Sequence, residues 1–162
     1  MRENLEQNLN LNEVGETGEK QTNRFAWLID DNADMSEALV RLVGRCSNGQ
    51  LELTHFFEAE HAINEFEKIC SEDLNRPELI LMDGNLTGNV PQAKIKTGVE
   101  AIDGLKDVAQ KYNVDLPDIV AFSTSSQSNE DLLARGAVKV VNKGNYNDIK
   151  NFVTELAEAE CE

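Results

Sequence analysis

The sequence predicts a doubly wound α/β fold, with one five-stranded parallel sheet covered on both faces by five helices. Two observations predict it. Short, strongly apolar runs alternate along the chain with longer stretches whose apolar residues recur at helical spacing. Most of the apolar runs stay apolar along their whole length, as strands buried on both faces do. Crossovers in such a sheet are expected to be right-handed.

The elements follow in order. Residues 1–23 are polar and show no sustained periodicity, so they are expected to form a flexible tail before a folded domain at 24–162. "FAWLID" reads as the first strand. Met35, Leu39, Leu42, Val43 and Cys46 then mark the first helix, and "LELTHFF" the second strand. Ala62, Ile63, Phe66, Ile69 and Cys70 form a second helical stripe. "PELILMD" is the third strand, and Val99, Ile102, Leu105 and Ala109 mark the third helix. "PDIVAFS" is the fourth strand. A short helix follows, its start placed at a capping box formed by Ser128 and Asp131. "VKVVNK" is the fifth strand, and Ile149, Phe152, Val153 and Leu156 line one face of the last helix.

The bulk numbers narrow the function. A chain of 162 residues holds one domain with a real core. Its formal net charge of -15 repels nucleic-acid backbones and anionic membrane surfaces. No apolar run approaches the roughly 20 residues of a membrane helix, and the start lacks the apolar core of a secretory signal. Cys46, Cys70 and Cys161 show neither zinc spacing nor a disulfide framework, which fits a reducing cytoplasm.

Ligands of open parallel sheets bind beyond the carboxyl ends of the strands, so those ends carry the chemistry. Strand one ends in Asp30 and Asp31, strand three in Asp83, strand four in Ser123 and Thr124, and strand five in Lys143. Three carboxylates brought together repel, and a hard divalent cation such as Mg²⁺ relieves that repulsion. A hydroxyl and an ammonium beside the ion suit an anionic phosphoryl group. A carboxylate on a rigid strand end is also a nucleophile towards phosphorus, giving an acyl phosphate at Asp83. The loop after Asp83 offers the Asn85 backbone carbonyl to the metal. Ser123 and Thr124 compete for the hydroxyl role, with Ser123 better placed at the end of its strand. The Asn85 side chain reads equally as an influence on water or as a turn residue. Trp27 reads as core, and His55 and His61 as isolated residues.

"LIDDN" at 28–32, "LILMDGN" at 79–85, "AFST" at 121–124 and "GAVKVVNK" at 136–143 together resemble the receiver domains of bacterial two-component response regulators. The resemblance covers residue 24 to about residue 160. It implies a flavodoxin-like fold, a phosphoacceptor at Asp83, and Mg²⁺ held by Asp31, Asp83, the Asn85 carbonyl and Asp30. It also implies a switch hydroxyl at Ser123 and a phosphate-pairing lysine at Lys143. The donor would be a histidine kinase or a histidine phosphotransfer protein. The chain would catalyse only its own phosphorylation and dephosphorylation, and would signal to a downstream protein by contact, as a stand-alone receiver.

The chain departs from the family pattern in several places. Leu86 and Thr87 stand where receivers usually carry Met-Pro, and the segment from Asp83 to Gly98 is longer than usual. Gly144 follows the lysine where proline is usual, and Val140 occupies the position of the aromatic switch residue. The extra segment, Thr87 to Thr97, reads either as a tolerated surface insertion or as a docking or gating element, made locally basic by Lys94 and Lys96. Two rival functions stand beside the receiver: a pseudo-receiver adaptor that binds a partner without phosphorylation, and a small Mg²⁺-dependent phosphohydrolase.

Overall fold

Two apolar faces of one sheet organise the molecule. The computed structural model describes residues 24–88 and 92–159. The expected tail at 1–23 and Cys161 lie outside the described residues. The strands are β1 (Arg24–Ile29), β2 (Leu51–Phe56), β3 (Leu79–Met82), β4 (Asp118–Ala121) and β5 (Lys139–Val140). The helices are α1 (Ala33–Cys46), α2 (Ala59–Ser71), α3 (Gly98–Tyr112), α4 (Ser126–Arg135) and α5 (Tyr146–Glu158). The strands pair in parallel in the order β2-β1-β3-β4-β5. The order reverses around β1, so β1 and β3 lie side by side at the crevice where such sheets place ligands.

Side-chain alternation along β1 divides the core. Ala26 and Leu28 pack with Leu39 and Val43 of α1 and with Ile149, Phe152 and Val153 of α5. Trp27 and Ile29 pack on the other face with Phe66 of α2, Ile102 and Leu105 of α3 and Leu132 of α4. Every residue of β3 is buried, as its continuous apolar run requires. Trp27 is core, edge-on to Phe56 and Phe66. Among the described residues no helix is long and apolar enough to cross a membrane.

Two expected elements differ in extent. Helix α4 starts before the expected capping box. Ser125 is its N-cap and accepts the Ser128 N–H, while Asp131 accepts from the Gln127 side chain one turn away. The fifth strand was expected over 138–143 but pairs only at Lys139 and Val140. Beyond Val141 the chain turns on Asn142, whose side chain accepts the Gly144 N–H at 2.9 Å and whose carbonyl accepts the Asn145 N–H. Proline at 144 would lack that N–H.

The long β3–α3 connection is anchored at both ends. Asn85 and Thr97 form an antiparallel bridge at its neck, through bonds from Leu86 N–H to Lys96 and from Gly98 N–H to Gly84. Leu86 and Ala93 are buried. Glu60, in the first turn of α2, accepts the backbone N–H groups of Lys94 and Ile95 through one oxygen. Burial works to raise the Glu60 pKa. The amide bonds from Ile95, its own N–H and Lys94 outweigh burial, so its carboxyl sits below the usual range.

Two predictions follow from these contacts. A Cβ at Gly98 would fall 2.2 Å from the Asp83 carbonyl oxygen and 2.8 Å from a Leu132 methyl, so this glycine lets α3 begin against the end of β3. Gly98→Ala is expected to lower stability by about 1–3 kcal/mol in denaturant melts, as overpacking does. Glu60→Ala should cost about 1 kcal/mol, discounted for partial exposure, and speed amide exchange at Lys94 and Ile95. A depressed folded-state pKa gives stability that is present above the unfolded value and lost as pH falls through the folded one. The two proteins should therefore converge in stability in acid, below the normal glutamate range.

Candidate functional site

The ends of β1 and β3 each deliver an aspartate by a backbone bond that extends the ladder. The Asp30 N–H donates to Phe56 O at 3.1 Å and the Asp83 N–H to Ile29 O at 3.0 Å. The two aspartates thus sit one residue past β1 and β3. Asn32, rather than either aspartate, caps α1, accepting the Met35 N–H. Capping therefore does not explain Asp30 and Asp31. One carboxylate oxygen from each of Asp30, Asp31 and Asp83 lies within 4.8 Å of the others, and all three residues are buried.

Lys143 reaches this cluster from three residues beyond β5. Its Nζ lies 2.5 Å from Asp30 Oδ2 and 3.3 Å from Asp83 Oδ2, and only 8% of the residue is exposed. Asp83 Oδ1 accepts the Gly84 N–H at 2.8 Å. Burial, followed by the Asp30 carboxylate, pushes the Asp83 pKa up, against Lys143 and the Gly84 N–H. Among the described residues, the three carboxylates lie together and Lys143 pairs with two of them. All three offer oxygen only, which fits a hard divalent cation such as Mg²⁺.

The hydroxyl candidates separate clearly. Ser123 is 3% exposed whereas Thr124 is exposed, although both line the cleft with Asp31, Asp83, Asn85 and Lys143. Ser123 Oγ accepts the Ser125 N–H at 3.2 Å. Asn85 lies at the rim. Its side chain accepts from the Thr87 N–H and hydroxyl at 3.1 and 2.7 Å, the turn role of the two foreseen for it. The two bonds of the Asn85–Thr97 bridge belong to neighbouring peptides, so the bridge does not use the Asn85 carbonyl. Gly88 brings the inserted segment against the acidic cluster, since a Cβ there would lie 2.8 Å from Asp31 Oδ2.

Two neighbours of the site escaped the sequence reading. His55 Nε2 lies 2.6 Å from the Asp30 carbonyl oxygen, bracing the β1 end from β2. Asn129 of α4 bonds both the N–H and the carbonyl of Ser123. The end-of-strand position of His55 was a usable signal. Nothing in the sequence marks Asn129.

No protein-family model and no curated protein matches the chain. Solved structures do match. The receiver domain of NtrX from Brucella abortus is 19% identical with a TM-score of 0.59, covering 83% of this chain and 98% of that one. A response regulator receiver domain from Rhodospirillum rubrum is 18% identical with a TM-score of 0.60, covering 82% and 90%. A response regulator from Burkholderia pseudomallei, solved with a phosphorylated aspartic acid, a calcium ion and citrate, is 18% identical with a TM-score of 0.58, covering 85% and 71%. The likeness is one of fold: the chain has the flavodoxin-like fold of response regulator receiver domains.

Proposed function

We propose that this protein is a receiver that accepts a phosphoryl group on Asp83 from a phosphohistidine donor, in a Mg²⁺-dependent reaction, and signals by protein contact. The observation that carries the reading is the cluster of buried Asp30, Asp31 and Asp83 with Lys143 between two of them. The phosphorylated aspartate and calcium ion of the Burkholderia pseudomallei neighbour support it by analogy of fold.

The chemistry assigns each residue a task. An Asp83 carboxylate oxygen forms the new P–O bond as the P–N bond to the donor imidazole breaks, and the electron pair leaves with the imidazole. The backbone bond to Ile29 fixes the line of attack. Asp30, Asp31, Asp83 and the Asn85 carbonyl would hold Mg²⁺, which when bound neutralises charge on the transferring oxygens. Lys143 offers its ammonium to another phosphoryl oxygen, and Ser123 offers its hydroxyl proton. The product is an acyl phosphate on Asp83. The donor is a histidine kinase or a histidine phosphotransfer protein, and the recipient of the signal is a further protein.

Incubation with Mg²⁺ and acetyl phosphate should add one base-labile phosphoryl group to the wild type by intact mass, and none to Asp83→Asn. Absence of the adduct with every donor tried, together with absence of Mg²⁺ binding, would leave the pseudo-receiver as the better account. The stability of Asp83→Asn gives an independent check. Asp83 binds its proton more tightly folded than unfolded, so its contribution favours the native state in acid and is lost as pH rises through the raised folded value. At neutral pH without metal, Asp83→Asn should melt about 2–4 °C higher, the equivalent of about 1 kcal/mol in a chain of this size. Added Mg²⁺ should close that gap by stabilising the wild type.

A further inference from the structure

Asn129 is buried on α4 and is not among the residues lining the cleft. Its Oδ1 accepts the Ser123 N–H at 3.1 Å, and its Nδ2 donates to the Ser123 carbonyl at 3.0 Å. Both bonds go to one peptide group-bearing residue, six positions back in the chain. Helix capping does not explain them, because Ser125 already caps α4 through the Ser128 N–H. An amide side chain is costly to bury unless it is paired, so an apolar residue would serve better if α4 needed only packing here.

The sheet explains what the pairing supplies. The last registered pair of β4 and β5 is Ala121 with Val140, two residues short of Ser123. The preceding Phe122 N–H turns to Met82 of β3 at 2.8 Å. At Ser123, Asn129 supplies the acceptor for the N–H and shares the carbonyl with the Lys143 N–H, which donates at 3.3 Å. The Ser123 hydroxyl accepts the Ser125 N–H and so keeps its own proton to donate. Asn129 therefore braces Ser123, the buried hydroxyl residue of the cleft, where the registered pairing of β4 and β5 has ended.

We propose that Asn129 is a positioning residue for phosphoryl transfer, holding Ser123 so that its hydroxyl meets the phosphoryl group at Asp83. The inference rests on the receiver reading above. A double-mutant cycle tests it, using the wild type, Ser123→Ala, Asn129→Ala and the double variant. Phosphorylation rates with acetyl phosphate are measured at saturating Mg²⁺, and Mg²⁺ affinity by calorimetry.

Asn129→Ala is expected to slow phosphorylation about tenfold, as the displacement of a positioned group does, with Mg²⁺ affinity unchanged. In the Ser123→Ala background the same substitution should slow the reaction by no more than about twofold, because its effect runs through the missing hydroxyl. Asn129→Asp keeps the size and the acceptor for the Ser123 N–H but sets an oxygen against the Ser123 carbonyl. It should behave like Asn129→Ala, and it carries the same cycle if the alanine variant does not fold. Losses that multiply across the two sites, or a wild-type rate for Asn129→Ala and Asn129→Asp, would overturn this inference alone. A wild type that forms no adduct would overturn the receiver reading and this inference with it.

Discussion

The close approach of three buried carboxylates is the constraint on which the rest of the site depends. At an effective dielectric of about 20, two unit charges at the observed limit of 4.8 Å repel by about 3–4 kcal/mol. Lys143 offsets part of this through its contacts at 2.5 Å and 3.3 Å. Local relaxation does not spread Asp30 and Asp83 apart, because bonds from the neighbouring strands hold their backbones at the sheet edge. Asp30 is tied to Phe56 and Asp83 to Ile29, and His55 holds the Asp30 carbonyl from a third strand. The apolar sheet supplies the stability, and the acidic cluster is held at its edge. Such a site has a physical use for a divalent cation and for a negatively charged group that shares the cation with the protein.

The inserted segment bears on the same edge. This connection is pinned by the Asn85–Thr97 bridge, by Leu86 in the core and by Glu60 on the amides of Lys94 and Ile95. Gly88 lies against Asp31 at one end, and Thr97 caps α3 with Glu100 at the other. The insertion thus reaches the rim of the site at Gly88.

Much of this was legible in the sequence, for a definite reason. A parallel strand buried on both faces must be apolar throughout, so its end is visible as the first charged residue: Asp30 after Ile29, Asp83 after Met82. Four strand ends, at Asp30 and Asp31, Asp83, Ser123 and Thr124, and Lys143, indicate which residues share an edge. The short β5 was harder to bound, because "VKVVNK" stays apolar enough for a strand while Asn142 turns the chain. The start of α4 was misplaced because the run "STSSQS" offers several hydroxyls that suit a cap, and only the backbone path selects Ser125. The contacts of His55, Glu60 and Asn129 are not visible in the sequence for another reason. Each acts on a backbone group of a different segment, and such a bond leaves no periodicity in the sequence.

The departures from the receiver pattern also bear on how a change at Asp83 would travel. Val140 is short, aliphatic and 39% exposed, so it has no ring to exchange between a buried and an exposed position. Helix α4, by contrast, touches the site twice through adjacent residues. Asn129 grips the Ser123 peptide, and Ser128 sits so close to Gly84 that a Cβ there would fall 2.4 Å from the Ser128 Cβ. The Ser123 carbonyl is shared with the Lys143 N–H, so the two groups proposed to meet the phosphoryl oxygens already form one hydrogen-bonded unit with α4. A displacement of Ser123 or of the Gly84 peptide is opposed by this helix before it reaches β5. The proposed phosphorylation of Asp83 thus has contacts that lead through the first turn of α4 and involve no aromatic side chain.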